Sequence, residues 1–387
     1  MPTPPPPAER YCSAGTKGQW SDLSANLTTP DGTAETTTIL RRELSELLLS
    51  QNLVVLCGLG TSLCVKGNAS APTMDGLWTA AEAKAGAGFA AVIQAVKYDI
   101  AANGKNIELL LSRCLLAHRL NGDPEVKTFT EQTEAEIVRL VNFIQPDTDL
   151  GIHETFLRKL GRRPTTKPRL KVFTTNYDLC LEEAAARTRF IAIDGFSPVA
   201  PHVFDGMYYD YDYVKRGADR ELPEYLTNVY HLYKLHGSLH WTQTGEQTLR
   251  DPTTKKPCII YPRDSKFESS YEQPFLEMMS RFQTAIREPN TGLIVVGFGC
   301  NDRHIVQPLS MALASNINLR VLLVDPSIEK KDNATIKRMN ELVKQGDSRL
   351  SLLETGFEKF VTLLPDLVTR SDSEAHFERF AKPVAKS

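Results

Sequence analysis

No two of the seven cysteines, Cys12, Cys57, Cys64, Cys114, Cys180, Cys258 and Cys300, form a Cys-x-x-Cys pair. That argues against a zinc ribbon, and an odd, scattered set makes a poor disulfide framework. Reduced, buried thiols and no bound metal are the expectation. Long apolar runs are also missing. The strand-like stretches, such as Leu293 to Val296, fall far short of the roughly 20 residues of a membrane span. Charge of one sign is lacking too: 45 Lys+Arg stand against 47 Asp+Glu, a net charge of −2. No general basic field is offered to nucleic acid or a membrane, so neither is expected as a direct partner. The N-terminal Met1-Pro2-Thr3 and the prolines Pro4 to Pro7 lack the charged-then-apolar layout of a signal peptide. The expected location is the cytoplasm.

What is present is ordinary globular material, 387 residues that are 41% hydrophobic and 24% charged. That suffices for one large domain or two ordinary ones. A helix is predicted over Thr36 to Ser50, where Leu40, Leu44, Leu47 and Leu48 share a face. Leu53 to Cys57 is an unbroken apolar run ending at Gly58, as suits a parallel strand covered on both sides. Helical spacing then dominates from Trp78 to about Gln145, over Phe89 to Ile100, Ile107 to Leu120 and Glu134 to Ile144. Strand signals return at Leu170 to Phe173, Phe190 to Ile193, Val229 to Leu235, Cys258 to Tyr261, Leu293 to Val296, Leu319 to Val324 and Leu350 to Leu353. Helical stretches lie between them near Leu179 to Thr188, Tyr271 to Arg287, Asp302 to Ser315 and Ala334 to Lys344. Alternating strands and helices predict an α/β fold with a doubly wound, mostly parallel, Rossmann-like sheet. The expected organisation is an extended N-terminal arm over 1–33, the sheet domain over 34–64 and 151–366, a helical insertion module over 65–150, and a C-terminal tail over 367–387.

Five segments carry chemistry, and most of them sit where predicted strands end, the edge that lines the ligand crevice of such a sheet. Gly58-Leu59-Gly60-Thr61-Ser62 follows the first strand. It would bring backbone N–H groups close to a phosphate, although Leu63 stands where a third glycine belongs and a plain turn has the same form. Thr174-Thr175-Asn176-Tyr177-Asp178 closes the strand at Phe173. One of Thr175, Asn176 and Asp178 could cap the next helix, but a cap explains one residue and not three. Lys234-Leu235-His236-Gly237-Ser238 places a histidine beside a glycine that admits close backbone approach, whereas His240 and Trp241 read as strand packing. A lone histidine after a strand is more often a core or surface residue. Gly297-Phe298-Gly299-Cys300-Asn301-Asp302 is a second glycine turn entering a helix, and Asp325 ends a strand, as a ribose ligand or a helix cap would.

In this order the blocks resemble the sirtuin superfamily, and more narrowly the sirtuin-like NAD-cleaving domains of bacterial antiviral defence systems. Lys234-Leu235-His236-Gly237-Ser238 is the most specific part, and Pro72-Thr73-Met74 with Leu77-Trp78 also resembles the stretch after the glycine turn. The resemblance implies Asn176 and His236 as catalytic residues at the nicotinamide ribose and Asp178 near the carboxamide. It implies Gly58, Gly60, Thr61, Ser62, Thr175, Gly297, Gly299, Asn301 and Asp325 along the dinucleotide. It further implies NAD as substrate, a homo-oligomer, and a HerA-type DNA-translocase ATPase as candidate partner. Two departures weigh against protein deacetylation: the four-cysteine zinc module is missing, and Thr175 stands where deacetylases carry Gln.

The expected activity is NAD hydrolysis to nicotinamide and ADP-ribose. Histidine has the intrinsic pKa to act as a base near neutrality, and an asparagine amide can orient ribose or water. The alternatives are an NAD-dependent protein deacylase or ADP-ribosyltransferase, a non-catalytic NAD or ADP-ribose sensor, and a dehydrogenase. The last leaves the Lys-Leu-His-Gly-Ser block unexplained.

Overall fold

Two runs with every residue buried, Asn52–Cys57 and Thr291–Val296, lie side by side and parallel at the middle of a nine-stranded sheet. Such runs are stable only between two layers of helices, since neither face of the strand is polar. The structure is a computed structural model that describes residues 9–23, 35–66, 70–216, 223–262 and 272–367.

The chain begins with strands β1 (Arg10–Ser13) and β2 (Ser21–Asp22), helix α1 (Glu35–Leu48) and strand β3 (Asn52–Cys57). Helices α2 (Met74–Ala85), α3 (Phe89–Ala95), α4 (Ile100–Asn103), α5 (Ile107–Asn121), α6 (Pro124–Val141) and α7 (Gly151–Gly161) follow. Next come β4 (Leu170–Thr174), α8 (Cys180–Thr188), β5 (Ile191–Ile193) and the hairpin β6 (Val214–Arg216) with β7 (Pro223–Tyr225). Strand β8 (Val229–Lys234) precedes a second hairpin, β9 (Trp241–Thr244) with β10 (Gln247–Arg250), and helix α9 (Phe275–Ala285). The last part alternates: β11 (Thr291–Val296), α10 (Arg303–Ser315), β12 (Leu319–Val324), α11 (Ala334–Lys344), β13 (Leu350–Glu354) and α12 (Phe357–Leu363).

The sheet order is β2-β1-β13-β12-β11-β3-β4-β8-β5. Strand β1 runs antiparallel to its neighbours, and all pairings from β13 to β5 are parallel. From β3 the chain builds one half of the sheet through β4 and returns to build the other through β11. The boundary between β3 and β11 is therefore the switch point, where the loops at the strands' carboxyl ends part and leave a crevice. Successive residues of β3 point to opposite faces. Val54 and Leu56 pack with Phe282, Ile305 and Ile336 of α9, α10 and α11, whereas Val55 packs with Leu40, Phe156, Ala184 and Phe360 of α1, α7, α8 and α12. The expected α/β, doubly wound sheet is the observed one.

Helices α2 to α6 enclose a third core around Trp78, Phe89, Leu110 and Phe129, with Trp78 edge-on to Phe89 at 5.5 Å. Leu239, Tyr177 and Tyr261 join it from loops at the carboxyl ends of the sheet strands, which seats the helices over the crevice. The helix expected over Phe89 to Ile100 is broken, because Lys97 adopts φ 50° and the Asp99 carboxylate caps α4 through the amides of Ala101 and Ala102. The helix expected from Glu134 starts at Pro124 instead, behind the cap of Asp123, where proline's missing N–H has no partner to lose. Among the described residues, no helix is long and apolar enough to cross a membrane.

Within the stretch expected to be an arm, residues 10–13 are a sheet strand between β2 and β13, with Tyr11 buried and its hydroxyl donating to Glu43 at 2.5 Å. Its partner β13 lies more than 300 residues away, so no local pattern marks it. Residues 1–8 and 24–33 of that stretch, and residues 368–387 of the expected tail, lie outside the described residues. The predicted strand over Cys258 to Tyr261 is not part of the sheet. Its backbone bonds instead to the loop after β8 and the start of β9, Ile260 N–H donating to His236 O at 2.8 Å and Cys258 N–H to Trp241 O at 2.7 Å.

Candidate active site

The glycine turns after β3 and β11 nest against each other backbone to backbone. Gly60 N–H donates to Gly297 O at 2.9 Å, and Gly297 holds φ +63°. A Cβ on Gly297 would lie 2.6 Å from Thr61 N, and one on Gly58 or Gly60 would lie equally close to the backbone of Gly297. These glycines therefore answer first to each other. Over the nested turns opens a cleft of about 380 Å³, within the roughly 300–1,000 Å³ span of ligand sites. Gly60, Gly297, Gly299, Thr175, Asn176, Asp178, His236, Asn301 and Asp325 all line it. The helical module closes it with Met74, Leu77, Val141 and Phe143, giving one apolar end.

Gly58, Thr61 and Ser62 do not reach the cleft wall; they lie behind it and hold Asn176. The Asn176 amide nitrogen donates to Gly58 O at 3.1 Å, Thr61 Oγ1 at 3.2 Å and Ser62 Oγ at 2.8 Å. A carbonyl such as Gly58 O can only accept, so the nitrogen must face this wall and Oδ1 turns away from these donors. The sequence suggested an amide that orients ribose or water; in the structure its donor half is committed to the protein. Ser62, fully buried, donates in turn to Asp178 Oδ2 at 2.7 Å, while Asp178 Oδ1 accepts from Cys180 N–H at 3.0 Å and so caps the start of α8. The carboxylate on which the carboxamide role was placed is thus a structural hub as well as part of the wall.

Lys234, the first residue of the Lys-Leu-His-Gly-Ser block, is 2% exposed and bonds to the Asp178 carbonyl and, at 2.7 Å, to Glu182. It ties the end of β8 to the loop after β4, which brings His236 and Asn176 to one cleft. Gly237 has φ +85°, and a Cβ there would stand 2.2 Å from Cys258 O. The close approach expected of a ligand is made by the chain's own residues 258–260.

His236 is buried, with Nε2 at 3.0 Å from Nε2 of His304 in the first turn of α10. Donor atoms of His236, His304 and Asp302 fall within 4.8 Å of one another, a grouping that invites comparison with a metal site. At 3.0 Å the two Nε2 atoms are within hydrogen-bond distance, one ring donating to the other. Asp325 is buried, and its carboxylate already accepts from Ser327 N–H at 2.9 Å and pairs with Lys331, so it organises its own loop beside the cleft. Burial pushes the Cys64 thiol up to about 12 and raises those of Cys57 and Cys180, with Asp178 adding to the effect, so no thiolate nucleophile stands ready near the Asp178 hub at neutral pH.

Residues 170–344 match the model of a protein family described as SIR2-like domain. The chain carries a SIR2-like domain. The match runs from β4 through α11 and takes in Asn176, His236, the second glycine turn and Asp325. It leaves the first glycine turn and helices α2 to α7 outside. No curated protein matches the chain. A SIR2-like domain supports an NAD-dependent enzyme of the sirtuin superfamily, and the strand-end cleft is where this sheet would hold a dinucleotide. Within the SIR2-like domain, the sequence reading passed over Lys234, Tyr177, Asp302 and His304. His304 had a visible signal, a histidine on the first turn of the helix that leaves a glycine turn.

Proposed function

We propose that this protein hydrolyses NAD at the bond between nicotinamide and ribose, releasing nicotinamide and ADP-ribose. The observation that carries the reading is the convergence of Asn176 and His236, from the ends of adjacent parallel strands, on one cleft over the switch point. Nicotinamide leaves as a neutral molecule from a cationic ring, so the enzyme has mainly to stabilise positive charge developing at the ribose and to offer water. His236 takes a proton from a ribose hydroxyl or from that water. Asn176 Oδ1 accepts a hydrogen bond from the same hydroxyl or water, held in place by the three bonds that pin its amide nitrogen. Asp178, Gly60, Gly297 and Gly299 complete the wall against which the dinucleotide lies.

The scattering of the seven cysteines favours hydrolysis over protein deacylation, because no two have the Cys-x-x-Cys spacing of the deacetylase zinc module. Unrestrained NAD hydrolysis would harm the host, so we place the activity in a regulated, NAD-depleting effector of antiviral defence. Its restraint would come from homo-oligomer assembly or from docking on a HerA-type ATPase. The deciding experiment is incubation of purified protein with NAD and separation of the products. Nicotinamide with ADP-ribose is expected; NADH, acyl transfer alone or untouched NAD would overturn the reading.

A further inference from the structure

His304 does not line the cleft, whereas His236 does. Both are buried, at 7% and 3% exposure, and they meet Nε2 to Nε2 at 3.0 Å. Such a contact needs one proton and one lone pair between the two rings. With Nε2 of His236 committed to His304, proton exchange between His236 and a substrate hydroxyl has to pass through Nδ1. Two neutral arrangements satisfy the contact. If His304 donates, His236 carries its own proton on Nδ1, its one lone pair is engaged at Nε2, and it has nothing on Nδ1 with which to take a proton. If His236 donates, its Nδ1 keeps a lone pair and the ring is competent as a base.

We propose that His304 is a positioning residue that holds His236 in the second arrangement, as the acceptor of its Nε2 proton. The inference rests on reading the cleft as the place where NAD is cleaved. Nδ1 of His236 uses its lone pair to take the proton of a ribose hydroxyl, and the oxygen keeps the O–H electron pair. The Nε2 proton then moves across the 3.0 Å contact to Nε2 of His304. His236 is left neutral with its proton on Nδ1, and the positive charge lies on His304. Asp302, the N-cap of α10, brings a carboxylate oxygen within 4.8 Å of a ring nitrogen of each histidine, and a neighbouring negative charge favours the charged imidazolium. The reverse shift restores the base once product leaves.

The test uses the full chain with His304→Ala and His304→Gln, read by kcat, KM, melting temperature and nitrogen-15 spectra of the imidazoles. A lost orienting partner typically costs ~10- to 100-fold in activity. That fall is expected in kcat of His304→Ala, with KM within about 2-fold. Gln offers an oxygen acceptor at the same place and should recover most of kcat. In wild-type protein without NAD, His236 should be protonated on Nε2. Wild-type kcat in folded His304→Ala, no recovery by Gln relative to Ala, a His236 proton on Nδ1, or stoichiometric metal lost with His304 would each overturn the proposal. If Ala does not fold, Gln and the wild-type spectrum still decide it. A wild-type protein that leaves NAD intact sinks the functional reading, while the spectrum continues to judge the histidine pair.

Discussion

The parallel sheet has a hollow at each end. The one at the amino ends of the strands is the larger, about 1000 Å³, and is lined by Arg42, Glu43, Glu46, Arg320 and Arg349 among others. The one at the carboxyl ends holds about 380 Å³. Size would choose the first, but the physics of the sheet chooses the second. At the amino end Arg320 pairs with Glu46, Arg349 pairs with Asp347 and bonds to Leu313 O, and Glu43 accepts from the hydroxyls of Tyr11, Ser13 and Ser351. At the carboxyl end two glycine turns bring backbone into contact at the switch point, and polar side chains from separate strands face one space. Volume reports where atoms are absent, while function needs groups whose bonding leaves one end directed at a ligand, as in Asn176.

The largest effects that would separate the two hollows are expected at Asn176 and His236. His236→Ala removes a general base, which typically contributes ~100- to 10,000-fold, and the loss should fall on turnover more than on binding. Asn176→Ala should disable turnover in the same way, because water or ribose loses its orienting acceptor. NAD hydrolysis measured beside a melting curve checks both. Full turnover in a folded His236→Ala protein would make His236 a packing residue and leave the carboxyl-end cleft without its base.

Gly237→Ala tests the frame that presents His236. A Cβ 2.2 Å from Cys258 O at φ +85° cannot be housed without moving residues 258–260, whose Ile260 N–H also bonds to the carbonyl of His236. Strain of this kind costs on the order of 1–3 kcal/mol, visible as a lower melting temperature together with reduced turnover. An unchanged melting temperature would show that the loop is looser than this contact implies.

Ser62→Ala is the milder change at the same end. It removes the hydroxyl that donates to Asp178 and accepts from Asn176, leaving a buried carboxylate short of one partner. The expected cost is about 1–3 kcal/mol of stability. A kcat drop roughly 10-fold, about 1.4 kcal/mol in the barrier, should accompany it as Asn176 loosens. A fall in melting temperature with kcat intact would show that Thr61 and Gly58 suffice to hold the amide.

How much of this was legible in the sequence follows from how far each interaction reaches along the chain. Leu53–Cys57 and Leu293–Val296 announce buried strands by their own composition, and the glycines after them mark the turns. Asn176 and His236 could be placed at strand ends, and the parallel sheet then brings them together. What stayed hidden depends on partners distant in sequence. Cys258–Tyr261 has the composition of a strand, yet its backbone bonds go to the loop carrying His236. Tyr11 is buried by Glu43 and β13. Thr61 and Ser62 look like phosphate ligands beside two glycines, but Asn176, more than 100 residues on, turns them inward. His304 acquires meaning only from a ring 68 residues before it.

The smallest expected effect comes from the opposite end. Arg320 lines the larger hollow and pairs with Glu46 at 2.9 Å, each side chain about half exposed at 52% and 51%. Exposed pairs of this kind contribute ~0–1 kcal/mol, because solvent screens the attraction and ordering two long side chains opposes it. Arg320→Ala should therefore move the melting temperature little and leave NAD turnover and KM unchanged. The result matters because Arg320 is the sort of cation that a phosphate-bearing ligand would use if it bound at the amino end. A rise in KM without loss of stability would mean that the dinucleotide reaches this hollow, and the preference for the carboxyl-end cleft would have to be abandoned. Unchanged kinetics, set beside the losses at Asn176 and His236, would assign NAD to the switch point and leave the larger hollow as a gap between solvated charges.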